Sequence, residues 1–436
     1  MRFRVFAVAA MAMLLGVVPA RSPAGLADPS PADTGSVAPA RWPGFPLLPD
    51  GRFPIGAWCG PPARETTDLR YAELARAGIN LTTGMLEDPY LPPASLRRLE
   101  MGRRHRVYAI VRDNRVHPDE ARRSGWRAAV DSMIGAYARR SALLGYFLAD
   151  EPGPDLFASL GALNRRLAQR DPRHPGYVNV YGFAGSDSPY GPCYTDFLRR
   201  FLHEVRPAFF SFDSYSLLKG SDSPRYLATL DSTALLSRET GVPYWAILQL
   251  TPHGVVRPLT PAELAWQANL ALAYGARGII WFTYWTPNPA ESLRYRDGPI
   301  SYGGRRNPSY DQLAKVNPRL QALGKELSRM RPLGVRHVGT VPFGCVRYVD
   351  SPALRIHSTT PLAAGFYQGP DRRTYVLIVN RDYRHSTEAR LTTGNSFGTW
   401  DRAKGYYRST RAGAALRIEP GEARLVRLAG TAVVFH

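Results

Sequence analysis

Lysine is almost missing from this chain of 436 residues: only Lys219, Lys315, Lys325 and Lys404 occur among 56 basic positions. Arginine therefore carries the formal charge of +20, scattered over helices and loops with no basic run interleaved with aromatics. Clustering, not total charge, marks a nucleic-acid surface, so no nucleic-acid partner is expected. Cysteine is scarce as well. Cys59, Cys193 and Cys345 are far apart and odd in number, which excludes a disulfide framework and any Cys-x-x-Cys metal pattern. One bridge in an exported chain stays open, and three mostly buried thiols is the simpler reading. Beyond the N-terminus no apolar run is long enough to cross a bilayer, so no stable membrane insertion is expected. A Gly-rich dinucleotide fingerprint is also lacking after the first predicted strand, which removes the main reason to expect an open doubly wound sheet.

What is present begins with an export pattern. Arg2 and Arg4 precede an apolar run over 5–18, and small residues near Ala20 and Ala27 offer cleavage sites. Residues 1–27 thus read as a signal peptide for a secreted or periplasmic protein. Residues 28–48, rich in Pro and Ala, read as a disordered lead-in.

From Phe53 onward, short apolar runs alternate with amphipathic, Arg-rich stretches. The runs are residues 54–58, 79–83, 107–111, 144–149, 177–181, 208–212, 243–248 and 278–282. Helical patterns lie between them at 69–77, 126–139, 156–170 and 261–274. The last opens on Thr260-Pro261-Ala262-Glu263, the spacing of a capping box with proline at the first helical position, so Glu263 reads as the capping acid. Strand starts recur about every 32 residues, the average for a (β/α)8 barrel of ~250 residues. Residues 49–332 are therefore expected to form a TIM barrel. After an eighth helix near 310–330 the pattern changes to strands at 335–349, 375–380, 387–392 and 424–428, separated by turns and no helix. Residues 333–436 read as a small all-β, sandwich-like domain.

Barrel enzymes place their chemistry at the C-terminal ends of the strands. In order, those tips offer Trp58; Thr83 and Glu87; Asp113 and Asn114; Asp150 and Glu151; Asn179 and Tyr181; Asp213 and Tyr215; Gln249 and His253; and Trp281, Tyr284 and Trp285. The fourth tip is the most informative. An apolar strand over 143–148 ends in two adjacent acids and is stopped by Pro152-Gly153. Desolvation there works against a carboxylate's charge and suits an acid whose pKa must rise toward neutrality. Because neighbouring strand residues face opposite ways, Asp150 is expected to point at the barrel wall or to tune Glu151. Aromatic rings mixed with hydrogen-bonding groups match the C–H faces and hydroxyls of sugars. A metal site would need clustered His and acids, and only His253 sits at a predicted tip, so neither metal nor cofactor is expected.

Three stretches resemble barrel glycoside hydrolases of clan A: Gly-Tyr-Phe-Leu-Ala-Asp-Glu-Pro at 145–152, Phe212-Asp213-Ser214-Tyr215, and the run from Ala273 to Trp285. The resemblance covers roughly 50–430. It implies a general acid/base glutamate after strand four, which is Glu151, and a β-sandwich behind the barrel. Two departures stand out: Asp150 replaces the usual asparagine before that glutamate, and strand seven ends in Gln249 instead of a nucleophilic glutamate. Asp213 is then the best second carboxylate, as nucleophile or as base for water, with a hydroxyl-binding role open beside it. Asp113 and Glu87 are weaker choices. Trp58, Asp150, Asn179, Tyr181, Tyr215, Gln249, His253, Trp281, Tyr284 and Trp285 are expected to bind the carbohydrate. The expected function is an exported glycoside hydrolase. The missing strand-seven glutamate leaves open a non-catalytic carbohydrate-binding barrel, and a barrel lyase or transglycosylase could use the same acid.

Overall fold

The computed structural model describes residues 47–84, 90–182 and 193–431. The export signal at 1–27, nearly all of the lead-in, and Glu87 lie outside the described residues. Eight strands, β1 (Ile55–Trp58), β2 (Leu81–Thr82), β3 (Tyr108–Val111), β4 (Leu143–Asp150), β5 (Gly176–Tyr181), β6 (Phe210–Asp213), β7 (Tyr244–Gln249) and β8 (Ile279–Phe282), close into a barrel. Every pairing is parallel, including β8 back to β1, where Trp58 lies opposite Phe282. Among the described residues the α-helices are α1 (Asp68–Arg76), α2 (Pro92–His105), α3 (Trp126–Tyr137), α4 (Phe157–Arg170), α5 (Tyr194–Val205), α6 (Arg225–Thr240), α7 (Pro261–Ala273) and α8 (Pro308–Leu327). The fold is a TIM barrel followed by antiparallel sheets.

Local chemistry explains the element ends. The Thr260 hydroxyl accepts from the Glu263 amide while the Glu263 carboxylate accepts from the Thr260 amide, so α7 starts on a complete capping box. Glu263 also pairs with Arg257 at 2.6 Å. At the other end of the barrel the half-buried Arg277 donates to the carbonyls of Leu327 and Met330, closing the C-terminal end of α8 where orphan carbonyls need donors. Aromatic side chains fill the barrel interior. Phe209 and Trp245 lie 4.5 Å apart by ring centroid, and Tyr177 stacks near both. Such ring pairs add about 0.5–1.5 kcal/mol each beyond area burial.

The chain leaves α8 directly into β9 (Arg331–Val338). It continues through β10 (Arg355–Ser358), β11 (Leu362–Gln368), β12 (Arg373–Asn380), β13 (Thr387–Thr392), β14 (Phe397–Asp401), β15 (Tyr406–Thr410), β16 (Ala415–Ile418) and β17 (Ala423–Thr431). A six-stranded sheet in the order β15-β14-β17-β12-β11-β9 packs on a three-stranded sheet, β10-β13-β16. Period-two alternation assigns the two faces of the larger sheet. Val376 and Ile378 join Leu391 and Ile418 between the sheets. Tyr375, Leu377 and Val379 turn the other way and belong to the barrel's own core. Gly365 is required at this contact, because a Cβ there would lie 2.4 Å from the Ala273 carbonyl oxygen at the end of α7. Across the same contact the Tyr367 hydroxyl donates to the Leu272 carbonyl, and Trp266 donates to the Arg381 carbonyl at 3.0 Å.

Candidate active site

The site sits at the C-terminal mouth of the barrel, around β4, β5 and β6. A register shift interrupts the β4–β5 pairing between Phe147 and Ala149. Without it, strict alternation from the inward Phe147 would turn Asp150 outward. The bulge resets the parity, so Asp150 pairs in register with Asn179 and faces the interior. The expectation that Asp150 points at the barrel wall is corrected by this single inserted residue. Glu151 then takes a left-handed conformation with φ of 47°, held by its amide donating to the Asn179 carbonyl at 2.8 Å. A non-glycine residue in that region costs on the order of 1–3 kcal/mol and persists where the surroundings over-determine it. The bulge and the strained residue together bring two consecutive acids to one site.

Asn179 organises the cluster. The Ser211 hydroxyl donates to Asn179 Oδ1 at 2.8 Å, which commits the single Ser211 proton. Tyr177 must therefore donate to Ser211 across their 2.6 Å contact. With its oxygen occupied, Asn179 points its amide protons at Asp150 Oδ1 and Asp213 Oδ1, each at 3.0 Å. Asp213 is also hydrogen-bonded to Glu151. The three carboxyl groups thus form one connected cluster. Gly182 lets β5 pass close to β6, since a Cβ there would come within 2.3 Å of the Asp213 carbonyl oxygen.

Electrostatics separates the roles of the three acids. Burial pushes the Glu151 carboxyl up to about 10, and the charges of Asp213 and Asp150 and the hydrogen bond to Asp213 push the same way. Asp150 rises to about 6: burial is the main cause and the charge of Asp213 adds to it, while the Asn179 hydrogen bond and Arg112 oppose it. Burial also raises Asp213, against hydrogen bonds from Asn179 and Glu151. Asp150 is exposed to solvent at the barrel mouth, yet the protein around it desolvates the carboxyl enough to raise its pKa. At neutral pH the arrangement favours a protonated Glu151 beside an ionised Asp150.

Aromatic rings form the facing wall. Trp58 meets Phe147 edge-on at 5.5 Å and tilts against Phe282 at 6.4 Å. Phe282 in turn lies 5.5 Å from Tyr215 and 5.2 Å from His253. Tyr295, from the loop after β8, packs on His253 at 5.2 Å. The Nδ1 of His253 bonds to the Thr251 carbonyl at 2.8 Å, so Nδ1 carries the proton, and burial lowers the ring's pKa to keep it neutral. Tyr181 is half-buried at the tip of β5, in register with Asp213.

Four of the expected sugar-binding residues have other partners. Trp281 is fully buried, and its indole donates to Asn317 of α8 at 2.9 Å, on the outside of the barrel wall. Tyr284 and Trp285 are buried behind the mouth, against Tyr310 and beneath Arg70 respectively. Gln249 is 1% exposed, and its amide is spent on the β6 loop. Its Oε1 accepts from the Ser216 and Leu217 amides at 2.7 and 2.8 Å, and its Nε2 donates to the Leu217 carbonyl at 3.0 Å. Phe147, Phe282 and Tyr295 take the places expected of the strand-eight tryptophans. Arg112, stacked over Tyr90 and Phe147 beside Asp150, is a further residue of the mouth. Asp113 is ion-paired to Arg115 and accepts from Tyr137, a structural role. All three cysteines are free, and Cys193 is exposed where a buried thiol was expected. Among the described residues, no helix is long and apolar enough to cross a membrane, and no three His, Cys, Asp or Glu side chains are grouped to hold a metal ion.

No sequence family and no curated protein sequence matches the chain. Solved structures do match it. A β-galactosidase from Bacillus circulans sp. alkalophilus superposes with a TM-score of 0.60 at 10% identity, over 87% of this chain and 99% of that one. A catalytic mutant of Gan42B, a GH42 β-galactosidase from G. stearothermophilus, gives 0.58 at 10% identity, over 87% and 98%. A glycoside hydrolase family 5 structure from Bacteroides vulgatus gives 0.52 at 10%, over 88% and 92%. The chain has the fold of clan A glycoside hydrolases. The likeness extends through the C-terminal sheets, and at this identity it is a likeness of fold.

Proposed function

We propose that this protein is an exported glycoside hydrolase in which Glu151 is the general acid. The observation that carries the reading is the hydrogen bond between Glu151 and Asp213 beneath a wall of rings, with Glu151 held protonated by its surroundings. The alkoxide oxygen of a sugar is a poor leaving group that departs far faster when protonated, and a carboxyl group that keeps its proton at neutral pH can supply one. Asp150 holds compensating negative charge, and Trp58, Phe147, Phe282 and Tyr215 offer faces for sugar rings. Export rests on the basic start and apolar run of residues 1–27. It is tested by finding the processed chain outside the cytoplasm and sequencing its N-terminus.

The activity is tested by incubating the purified protein with a panel of oligosaccharides and aryl glycosides, β-galactosides included because two fold neighbours are named β-galactosidases. New reducing ends that vanish in Glu151→Gln support the proposal, and no cleavage at any pH refutes it. A non-catalytic carbohydrate-binding barrel is the second reading, favoured by Gln249 at the strand-seven position where clan A carries its nucleophile. It predicts glycan binding that survives Glu151→Gln, with no turnover in the parent. Unsaturated or transferred products would instead indicate a lyase or a transglycosylase.

A further inference from the structure

Resting on the glycosidase reading, one question remains: what attacks the anomeric carbon. The Gln249 amide is committed to backbone groups of the β6 loop, so the strand-seven tip supplies no carboxylate. Asp213 is hydrogen-bonded to Glu151, closer than the ~5–5.5 Å gap that admits a sugar carbon between acid and nucleophile. Asp150 and Asp213 each bond one Asn179 amide nitrogen at 3.0 Å, so the bonded oxygens lie no farther apart than two such bonds end to end. The three acids are therefore gathered on one side of the site, whereas a water-activating base stands ~6.5–9.5 Å across from its acid. All three acids rise from β4 and β6, and the opposing wall from β1, β7 and β8 presents Trp58, His253, Phe282 and Tyr295. A displacement needs a nucleophile on the face opposite the leaving group, and among the described residues the wall around Trp58, His253 and Phe282 is made of rings.

We infer that the substrate brings its own nucleophile, the 2-acetamido group of an N-acetylated amino sugar, and that Asp150 orients it. Each part of an acetamido group has a counterpart in the site. The second carboxylate oxygen of Asp150, Oδ2, has no hydrogen bond among the described residues, and the residue is solvent-exposed, so this oxygen can accept from the amide N–H. Tyr215, whose ring lies 5.5 Å from Phe282 and 5.6 Å from His253, carries a hydroxyl that can donate to the amide carbonyl. The methyl group fits against Trp58, Phe147 and Phe282. In the first step the acetamido oxygen bonds to C1 as the C1–O bond to the leaving group breaks, and the Glu151 proton passes to the departing oxygen. The cyclic oxazolinium keeps its N–H against ionised Asp150. Water then attacks C1 and the ring C1–O bond opens. The water's proton passes to the Glu151 carboxylate, which restores the acid and the acetamido group. Two inversions give net retention.

The test compares 4-nitrophenyl 2-acetamido-2-deoxyglycosides with their 2-hydroxy counterparts, in gluco and galacto forms and both anomers. It then replaces the acetyl group by mono-, di- and trifluoroacetyl. The expected result is at least a 100-fold preference in kcat/KM for the acetamido substrates. Stepwise loss of rate with fluorination, 100-fold or more at trifluoroacetyl, should follow because the attacking oxygen is weakened. Asp150→Asn should lose at least 100-fold on the acetamido substrates, and the fluorination series needs only the parent protein should that variant fail to fold. Equal or faster cleavage of the 2-hydroxy substrates, or indifference to fluorination, overturns this inference and leaves the glycosidase reading standing. Cleavage of no glycoside in either the acetamido or the hydroxy series overturns both.

Discussion

Replacing Gln249 by alanine tests whether this residue binds substrate or holds the loop that carries Tyr215. The side chain makes three hydrogen bonds to the backbone of Ser216 and Leu217, all in the buried interior. Truncation leaves two amide protons unpaired beneath the loop, while the Leu217 carbonyl keeps its bond from the Arg257 amide at 3.3 Å. A buried group stranded this way costs about 1–3 kcal/mol, and water entering the vacated space recovers part of it. A total of about 2–4 kcal/mol is expected. With an unfolding entropy of about 2.1 cal/mol/K per residue, a chain of this size loses roughly 1 °C of Tm per kcal/mol, so the shift is ~2–4 °C. Tyr215 stands next to Ser216, so kcat should fall with Tm, by about tenfold or more, as the ring leaves its place against Phe282. Scanning calorimetry and initial rates on the same preparation measure both. An unchanged Tm with a raised KM would refute the reasoning and return Gln249 to the substrate-binding residues.

Glu151→Gln should cost several orders of magnitude in kcat on glycosides with poor leaving groups and far less on activated aryl glycosides, which need the proton less; equal losses would move the acid role to Asp213 or Asp150. The same variant should change the pH dependence of stability. The folded pKa of Glu151 is raised, so the contribution of its bound proton is full below the unfolded value of about 4.3 and declines as pH climbs toward about 10, at no more than about 1.4 kcal/mol per pH unit. The Tm of Glu151→Gln relative to the parent should therefore improve from pH 4 to pH 8, and a difference independent of pH would contradict the raised pKa. The two faces of β8 should separate cleanly: Phe282→Ala should raise KM tenfold or more, whereas Trp281→Phe should lose about 1–3 kcal/mol of stability through its severed bond to Asn317 and leave KM unchanged.

The barrel, the β domain, the capping box of α7 and the strand-four tip with its two acids are all legible in the order of residues along the chain. Each of these is written locally, in runs of apolar residues, their spacing and the residues that stop them. The spacing from Thr260 to Glu263 is a local geometry that no distant contact needs to complete. The facing of individual side chains at the barrel mouth was decided by tertiary structure. In β8 the sequence Ile-Ile-Trp-Phe is apolar on both faces, because helices cover one side and barrel core the other, so no alternation announces that Phe282 looks in and Trp281 looks out. In β4 the bulge that turns Asp150 inward is an irregularity of pairing with β5, invisible in either strand alone. Gln249 reads as a polar strand tip open to a substrate until the β6 loop folds over it and takes its amide. Asn179 reads as one more polar residue until β4 and β6 bring Asp150 and Asp213 to either side of it. Parity and partnership at a strand end belong to the neighbours across the sheet, and only the closed barrel fixes which neighbours those are.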